Sequence, residues 1–91
     1  MSEPLRHTAK IVNTKGLHAR AAAKLCKVAE KFDARVMVSK GDLEVSSCSI
    51  MGLLMLAAAQ GTEIHLEARG TDARGAMAAL TELIENGFDE D

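Results

Sequence analysis

Apolar and polar residues alternate along parts of the chain in a way that predicts strands. The clearest case is residues 62–69, where Ile64, Leu66 and Ala68 would face one side and polar residues the other. A period of two is typical of a strand with one buried face. The same pattern predicts three more strands, at residues 7–13, 34–39 and 42–46.

Other segments repeat apolar residues every three or four positions, which predicts amphipathic helices. These segments are residues 19–32, residues 50–59 and a last helix between Gly70-Thr71-Asp72 and Asn86-Gly87. The resulting order is β-α-β-β-α-β-α. Alternating strands and amphipathic helices in this order predict a two-layer α+β fold. A chain of 91 residues is expected to form a single domain over residues 1–91.

Composition and charge narrow the classes of function. The chain is 47% hydrophobic and 26% charged, as in soluble globular domains. We expect no membrane insertion and no secretory signal, and hence a cytoplasmic protein. Basic residues dominate the N-terminal third, where no acidic residue occurs between Glu3 and Glu30, whereas the C-terminal end is acidic. The basic residues are Arg6, Lys10, Lys15, Arg20, Lys24 and Lys27, and the acidic ones are Glu82, Glu85, Asp89, Glu90 and Asp91.

The basic zone favours an anionic ligand or an acidic protein surface, or it is a solvated basic face without a partner. A nucleic-acid partner is not expected, because Phe32 and Phe88 are the chain's whole supply of aromatic residues for stacking on bases. The histidines are scattered, and Cys26 and Cys48 form no CxxC motif. We therefore expect no metal, no cofactor and no disulfide, with both cysteines buried or half-buried as small apolar residues.

Candidate chemistry lies in the segment Thr14–Ala23, where a strand ends, Gly16 permits a sharp turn and a helix begins near His18. Histidine is not a preferred N-cap residue, so its position at a helix start calls for a reason. A helix N-terminus and the guanidinium of Arg20 would suit phosphate oxygens. From spacing alone three interpretations stay open: His18 accepts a phosphoryl group, the loop binds an anion, or His18 is an ordinary surface residue.

Two motifs in the chain resemble those of HPr, the phosphocarrier family of the bacterial phosphotransferase system. The first is Gly16-Leu17-His18-Ala19-Arg20, and the second is Ser49-Ile50-Met51-Gly52-Leu53. The order of elements also matches this family. Two further segments, Leu53-Leu54-Met55-Leu56 and the ending from Asn86 to Asp91, are similar to the nitrogen-related branch called NPr. The implied fold is an open-faced sandwich, with a four-stranded antiparallel sheet covered on one face by three helices.

The resemblance implies a role for particular residues. His18 matches the histidine that is phosphorylated on Nδ1, and Arg20 matches the arginine that supports the phosphate. Ser49 matches a regulatory serine that HPr kinase/phosphorylase modifies in some bacteria, although an N-cap role is its default. The expected partner-binding residues are Lys15, Ala19, Lys24, Lys27, Ile50, Met51 and Met55. One departure from the family is Ala21, where proline is usual, and we expect the site to survive it.

The implied function is a stoichiometric phosphoryl carrier and not an enzyme. It would accept a phosphoryl group from phospho-Enzyme I on His18 and pass it to an EIIA-type protein, with a regulatory, nitrogen-related output. The alternative is a non-catalytic regulatory binding module of the same fold that acts through the helix face at Ser49. A small enzyme is disfavoured, because the chain offers no general acid–base pair or enclosed pocket.

Overall fold

A computed structural model describes residues 3–90 of the chain. Met1, Ser2 and Asp91 lie outside this range, so the expected domain and the acidic C-terminal end are each described in part. Within residues 3–90 the chain forms four strands, three α-helices and a short 3-10 segment. In chain order they are β1 (Leu5–Lys10), α1 (Ala19–Ala29), β2 (Arg35–Lys40), β3 (Leu43–Ser46), α2 (Ile50–Met55), β4 (Glu63–Arg69), α3 (Ala73–Glu85) and the C-terminal turn (Gly87–Asp89).

The strands pair antiparallel in the order β1-β4-β2-β3. Strand β4 lies in the interior of the sheet, with Leu5 of β1 opposite Ala68 and Arg35 of β2 opposite Arg69. Side chains alternate between the two faces of the sheet, and the face that carries Val38 of β2 and Leu66 of β4 is buried. The predicted four-stranded antiparallel sheet is confirmed.

The helices cover the buried face of the sheet and contribute apolar side chains to one core. Leu25 of α1, Leu53 of α2, and Leu80 and Ile84 of α3 are each fully buried in it. The apolar stripe of each helix therefore points at the sheet, as its spacing predicts. The order β-α-β-β-α-β-α and the two-layer α+β architecture are confirmed.

Helix α2 is shorter than predicted: it ends at Met55 and not near Ala59. Ala57 adopts a left-handed backbone conformation with φ 51°, which breaks the helix. The freed carbonyls of Leu56 and Ala57 accept hydrogen bonds from Nζ of Lys40, at 2.9 and 3.4 Å. The lysine thus satisfies carbonyl groups that a continuing helix would have paired.

The predicted ends of β1 and α1 also needed correction. Strand β1 covers Leu5–Lys10 instead of residues 7–13, because the buried Asn13 turns inward and donates to the carbonyl of Gly16 at 2.8 Å. Helix α1 ends at Ala29, not Phe32, because the amide of Phe32 bonds three residues back to Ala29 in a tightened turn.

The cysteines are both free thiols in different surroundings. Cys26 is buried in α1 as predicted, but Cys48 is exposed, which corrects the expectation for it. Its amide donates to the hydroxyl oxygen of Ser46 in the turn after β3, and the buried neighbour there is Ser47. No helix in the described part of the chain is long and apolar enough to cross a membrane.

Gly16 positions the start of α1 against the loop that follows α2. Its φ of +69° is left-handed, and a Cβ atom there would lie 2.6 Å from the carbonyl oxygen of Ala58. The same carbonyl accepts a hydrogen bond from the amide of Leu17 at 2.9 Å. Both the backbone conformation and the close approach therefore require glycine at this position.

We predict that Gly16→Ala destabilises the protein more than Gly41→Ala. Both glycines have left-handed φ, but no atom lies within 4 Å of a Cβ built at Gly41. Gly41→Ala should cost about 1–2 kcal/mol for the backbone conformation alone. Gly16→Ala should cost a further ~1–3 kcal/mol for the steric clash. Urea denaturation of the two variants tests this, and equal losses of unfolding free energy would show that the contact with Ala58 is unimportant.

Candidate functional site

His18 is the N-cap residue of α1, as the sequence predicts. Its backbone is extended (φ −85°, ψ −179°), and its side chain makes no capping hydrogen bond. Its carbonyl accepts from the amide of Ala22 at 2.8 Å, which begins the helix. The side chain retains 26% of its exposure. The backbone of His18 thus begins the helix, whereas its imidazole does not cap the helix amides.

The imidazole contacts a carboxylate from the other end of the described chain. Nε2 of His18 lies 2.5 Å from Oε2 of Glu90, and the other oxygen, Oε1, accepts from Nδ2 of Asn13 at 3.0 Å. The same amide nitrogen of Asn13 donates to the carbonyl of Gly16. Asn13 therefore links the loop before His18 to the carboxylate beside it.

The pKa of Glu90 is lowered from its ordinary value. Partial burial acts to raise it, but the hydrogen bonds from His18 and Asn13 and the electrostatic attraction of His18 and Lys24 together outweigh burial. The carboxylate is therefore ionised at neutral pH, and it places a negative charge within the basic zone.

Basic side chains surround a recess next to this pair. A cavity of about 350 Å³ is lined by Thr14, Lys15, Arg20, Lys24, Asp89 and Glu90. Arg20 is exposed, and among residues 3–90 no carboxylate lies within ion-pair distance of its guanidinium. It can reorient towards an anion at the start of α1. Lys24 is half-buried, and its Nζ donates to the carbonyl of Phe88 at 2.7 Å.

The first amide groups of α1 belong to the same end of the helix as His18 and Arg20. The initial N–H groups of any α-helix have no partner within the helix, and they carry the positive end of its dipole. No acidic residue occupies the first turn of α1. Together with Arg20 and Lys15, the helix start presents donors that match phosphate oxygens.

Helix α2 carries the remaining predicted site residues. Ser49 is its N-cap, and its hydroxyl oxygen accepts from the amide of Gly52 at 2.9 Å. Ile50, Met51 and Met55 are 42%, 70% and 63% exposed, and we call these three residues the apolar surface. Helix α2 packs beside α1, so the apolar surface and the His18 site belong to adjoining elements.

The other predicted residues lie on α1 and on the loop before it. Lys15 and Ala19 are exposed close to His18 in the chain, and Lys27 is exposed in the last turn of α1.

Burial, then the charge of Glu30 and the proximity of Cys48, raise the pKa of the Cys26 thiol, so Cys26 is not an activated nucleophile. No group of three or more potential ligand side chains among residues 3–90 could hold a metal ion.

A second, larger recess of about 610 Å³ lies between β1 and α3. It is lined by Leu5, His7, Arg74, Met77, Ala78, Thr81, Glu82, Glu85 and Asn86. It includes none of the predicted site residues. The candidate chemistry is therefore assigned to the start of α1, where histidine, arginine and free helix amides meet.

Glu90 and Asn13 are the site residues that the sequence pattern did not identify. The acidic character of the C-terminal end was evident, but nothing in the local pattern indicates that the chain returns to His18, 72 positions earlier. The available signal was charge complementarity between a basic N-terminal third and an acidic end.

Known proteins are similar in sequence to nearly the whole chain. The family model described as "PTS HPr component phosphorylation site" matches residues 5–86. Phosphocarrier protein HPr from Neisseria meningitidis serogroup A is 50% identical over 86 residues, covering 94% of this chain and 97% of the relative. Phosphocarrier protein NPr from Shewanella violacea is 42% identical over 86 residues, covering 94% of each chain.

A solved structure of HPr from Thermoanaerobacter tengcongensis has the same architecture. It superimposes with a TM-score of 0.91 at 40% identity, covering 96% of this chain and 98% of that one. Family match, sequence identity and fold agree, and the chain belongs to the HPr family of phosphocarriers of the phosphotransferase system.

Proposed function

We propose that the chain is a stoichiometric phosphoryl carrier that accepts a phosphoryl group from phospho-Enzyme I on Nδ1 of His18. It then passes the group to an EIIA-type protein. The observation that carries this proposal is the position of His18: a partly exposed imidazole at the N-cap of α1 that makes no capping bond, two residues before Arg20. Free helix amides and a guanidinium would hold the phosphate oxygens.

The site suits reversible transfer because its hold on phosphate is moderate. One arginine and one helix terminus provide donors, while Glu90 offsets part of the surrounding positive charge. A much tighter site would stabilise the phosphorylated chain and slow onward transfer, since binding that favours one state of the carrier raises the barrier to leaving it. We therefore assign to this chain the role of a carrier and not of an enzyme.

The apolar surface is the proposed docking site for Enzyme I and the EIIA-type acceptor. Its three side chains are exposed beside α1, and methionine adapts to partners of different shape. The exposed Lys15, Ala19 and Lys27 would border it, whereas Lys24 is already engaged by the carbonyl of Phe88. Brief docking to several partners needs a small adaptable patch of this kind.

Three finer assignments belong to the same proposal. The output is regulatory and nitrogen-related, on the similarity of residues 53–56 and 86–91 to NPr. The chain acts in the cytoplasm, where phosphoenolpyruvate charges Enzyme I. Residues 1–91 form one domain, since the core runs without a break from Ala9 of β1 to Phe88.

Ser49 is a proposed regulatory site in organisms that contain HPr kinase/phosphorylase. Its oxygen already accepts the amide of Gly52, so a phosphoryl group would add negative charge at the start of α2, where the helix tolerates it. The charge would lie next to Ile50 in the apolar surface and would weaken the docking of an acidic partner.

We predict that His18→Ala abolishes phosphoryl acceptance while leaving the fold intact, because the side chain makes no capping bond and lies outside the core. After incubation with Enzyme I and phosphoenolpyruvate, the intact mass of the protein without substitution should show an acid-labile gain of about 80 Da. His65→Ala, on the outer face of β4, is the control and should gain the same mass. A gain in His18→Ala would place the phosphoryl group elsewhere.

We predict that Arg20→Ala slows phosphoryl acceptance about 10- to 100-fold without abolishing it, because a charge-assisted hydrogen bond contributes about 1.5–3 kcal/mol. The helix amides would still bind the phosphate. Rapid-quench measurement of the transfer rate checks this, with the exposed Arg74→Ala on α3 as the control. Unchanged transfer in Arg20→Ala would remove Arg20 from the site.

We predict that Met51→Glu raises the Kd for Enzyme I at least about tenfold, a loss of ~1.4 kcal/mol, because docking would desolvate the new charge. The melting temperature should change little, since Met51 is 70% exposed. Leu43→Glu, an exposed apolar position on β3, is the control and should bind normally. Isothermal titration calorimetry measures both. A large drop in melting temperature for Met51→Glu would identify Met51 as a core residue.

The binding-module alternative makes the opposite prediction for the same assays. If the helix face at Ser49 is the whole function, Ser49→Asp removes the regulatory effect and His18→Ala retains it. The partly exposed His18 next to an accessible Arg20 favours the carrier.

A further inference from the structure

Two hydrogen bonds and partial burial hold the carboxylate of Glu90 in place. Oε2 bonds Nε2 of His18, Oε1 bonds Nδ2 of Asn13, and the side chain of Glu90 is 19% exposed. Asn13 is 1% exposed, and its amide nitrogen also bonds the carbonyl of Gly16. A buried amide that serves both the loop and the carboxylate fixes their relative position.

The backbone before Glu90 adopts a conformation that needs compensation. Gly87, Phe88 and Asp89 have successive φ angles of 64°, 58° and 62°. The left-handed region costs a residue with a side chain about 1–2 kcal/mol. Phe88 is completely buried in the core, and its carbonyl accepts Nζ of Lys24 at 2.7 Å. These contacts stabilise a turn that directs Glu90 at His18.

The bonded nitrogen of His18 is Nε2, whereas the proposed acceptor of the phosphoryl group is Nδ1. A neutral imidazole has one N–H and one nitrogen with a free lone pair. An ionised carboxylate can only accept, so it bonds the nitrogen that carries the proton. With the proton on Nε2, the lone pair is on Nδ1. Among residues 3–90, the ring of His18 makes this one hydrogen bond.

We propose that Glu90 is a positioning residue for phosphoryl transfer, which holds the proton of His18 on Nε2 and so presents the Nδ1 lone pair to the phosphoryl group. This rests on the proposed function of His18. In the transfer step the Nδ1–P bond forms as the bond between phosphorus and the donor atom of phospho-Enzyme I breaks, and the electron pair of that bond stays with the donor. The proton stays on Nε2.

Glu90 also acts on the charge that this step creates. The ring becomes positively charged when Nδ1 bonds phosphorus, and an ionised carboxylate on the Nε2 side stabilises that charge. When the phosphoryl group leaves for an acceptor, the ring departs as neutral imidazole because Nε2 has kept its proton. Orientation and charge stabilisation thus apply in both directions of transfer.

The test combines a spectroscopic measurement with transfer kinetics. The variants are Glu90→Ala, which removes the acceptor, and Glu90→Gln, which keeps an oxygen acceptor and removes the charge. The matched control is Glu85→Gln, because Glu85 also faces a histidine, with Oε2 at 3.6 Å from Nε2 of His7. Nitrogen-15 NMR of the imidazoles reports which nitrogen of His18 carries the proton in the free, unphosphorylated protein.

We expect the original protein and Glu85→Gln to show the Nε2–H form of His18, and Glu90→Ala to show a mixture of both forms. With Glu90→Ala as the acceptor, the kcat of Enzyme I should fall about tenfold, the lower end of the loss found for partners that orient a metal-bound histidine, with KM unchanged. Glu90→Gln should retain the Nε2–H form and lose part of the rate. If the role of Glu90 were merely structural, Glu90→Ala would leave the tautomer of His18 unchanged. It would also not lower kcat while KM stays the same.

Two failures are distinguishable. If the original protein takes no phosphoryl group from Enzyme I, the proposed function is wrong. If the original protein is phosphorylated, and Glu90→Ala and Glu90→Gln show the same transfer rate and the same His18 tautomer as the original protein, the positioning role of Glu90 is wrong. A predominant Nδ1–H form in the original protein would overturn the positioning role as well.

Discussion

The hydrogen bond from the amide of Leu17 to the carbonyl of Ala58 is the interaction on which the site depends. It forms because Gly16 lets two backbone segments approach to a distance that a Cβ atom would prevent. The bond joins the start of α1 to the chain leaving α2, and the left-handed Ala57 turns that chain towards it. The early end of α2 thus leaves the carbonyl of Ala58 free to hold the start of α1, where His18 lies.

A second constraint is the balance of charge at the start of α1. The helix amides and Arg20 attract an anion, and Glu90 already supplies one on the Nε2 side of His18. In the proposed function, the ionised carboxylate would limit how strongly the same region holds phosphate. A carrier between two proteins needs such a balance, because it must release what it binds. Neutralisation by a side chain achieves this without changing the helix or the sheet.

The fold was largely predictable because burial on one face leaves a periodic record in the sequence. Ile64, Leu66 and Ala68 show it in β4, and all three are buried. The ends of elements were harder to predict, because tertiary hydrogen bonds set them: Lys40 takes the carbonyls that end α2. The same applies to Cys48, whose exposure follows from a turn and not from its apolar character.

Local sequence was enough to place His18, Ser49 and Arg20 at helix starts, since those helix starts are encoded within a few residues. Both N-caps are where the sequence predicts them. Glu90 could not be found in this way. Its contact with His18 depends on Asn13, on Lys24 and on the left-handed backbone at Phe88, which lie on three separate segments.

The long separation between His18 and Glu90 along the chain has a consequence for the order in which the scaffold and their contact form during synthesis. A nascent chain that has emerged only as far as α3 already contains every strand of the described sheet and the start of α1. It still lacks the turn at Phe88 and therefore the carboxylate beside the imidazole. Synthesis proceeds from the N-terminus at about 5–20 residues per second. The scaffold can therefore fold first, and the histidine receives its carboxylate partner only when the segment that follows α3 has emerged.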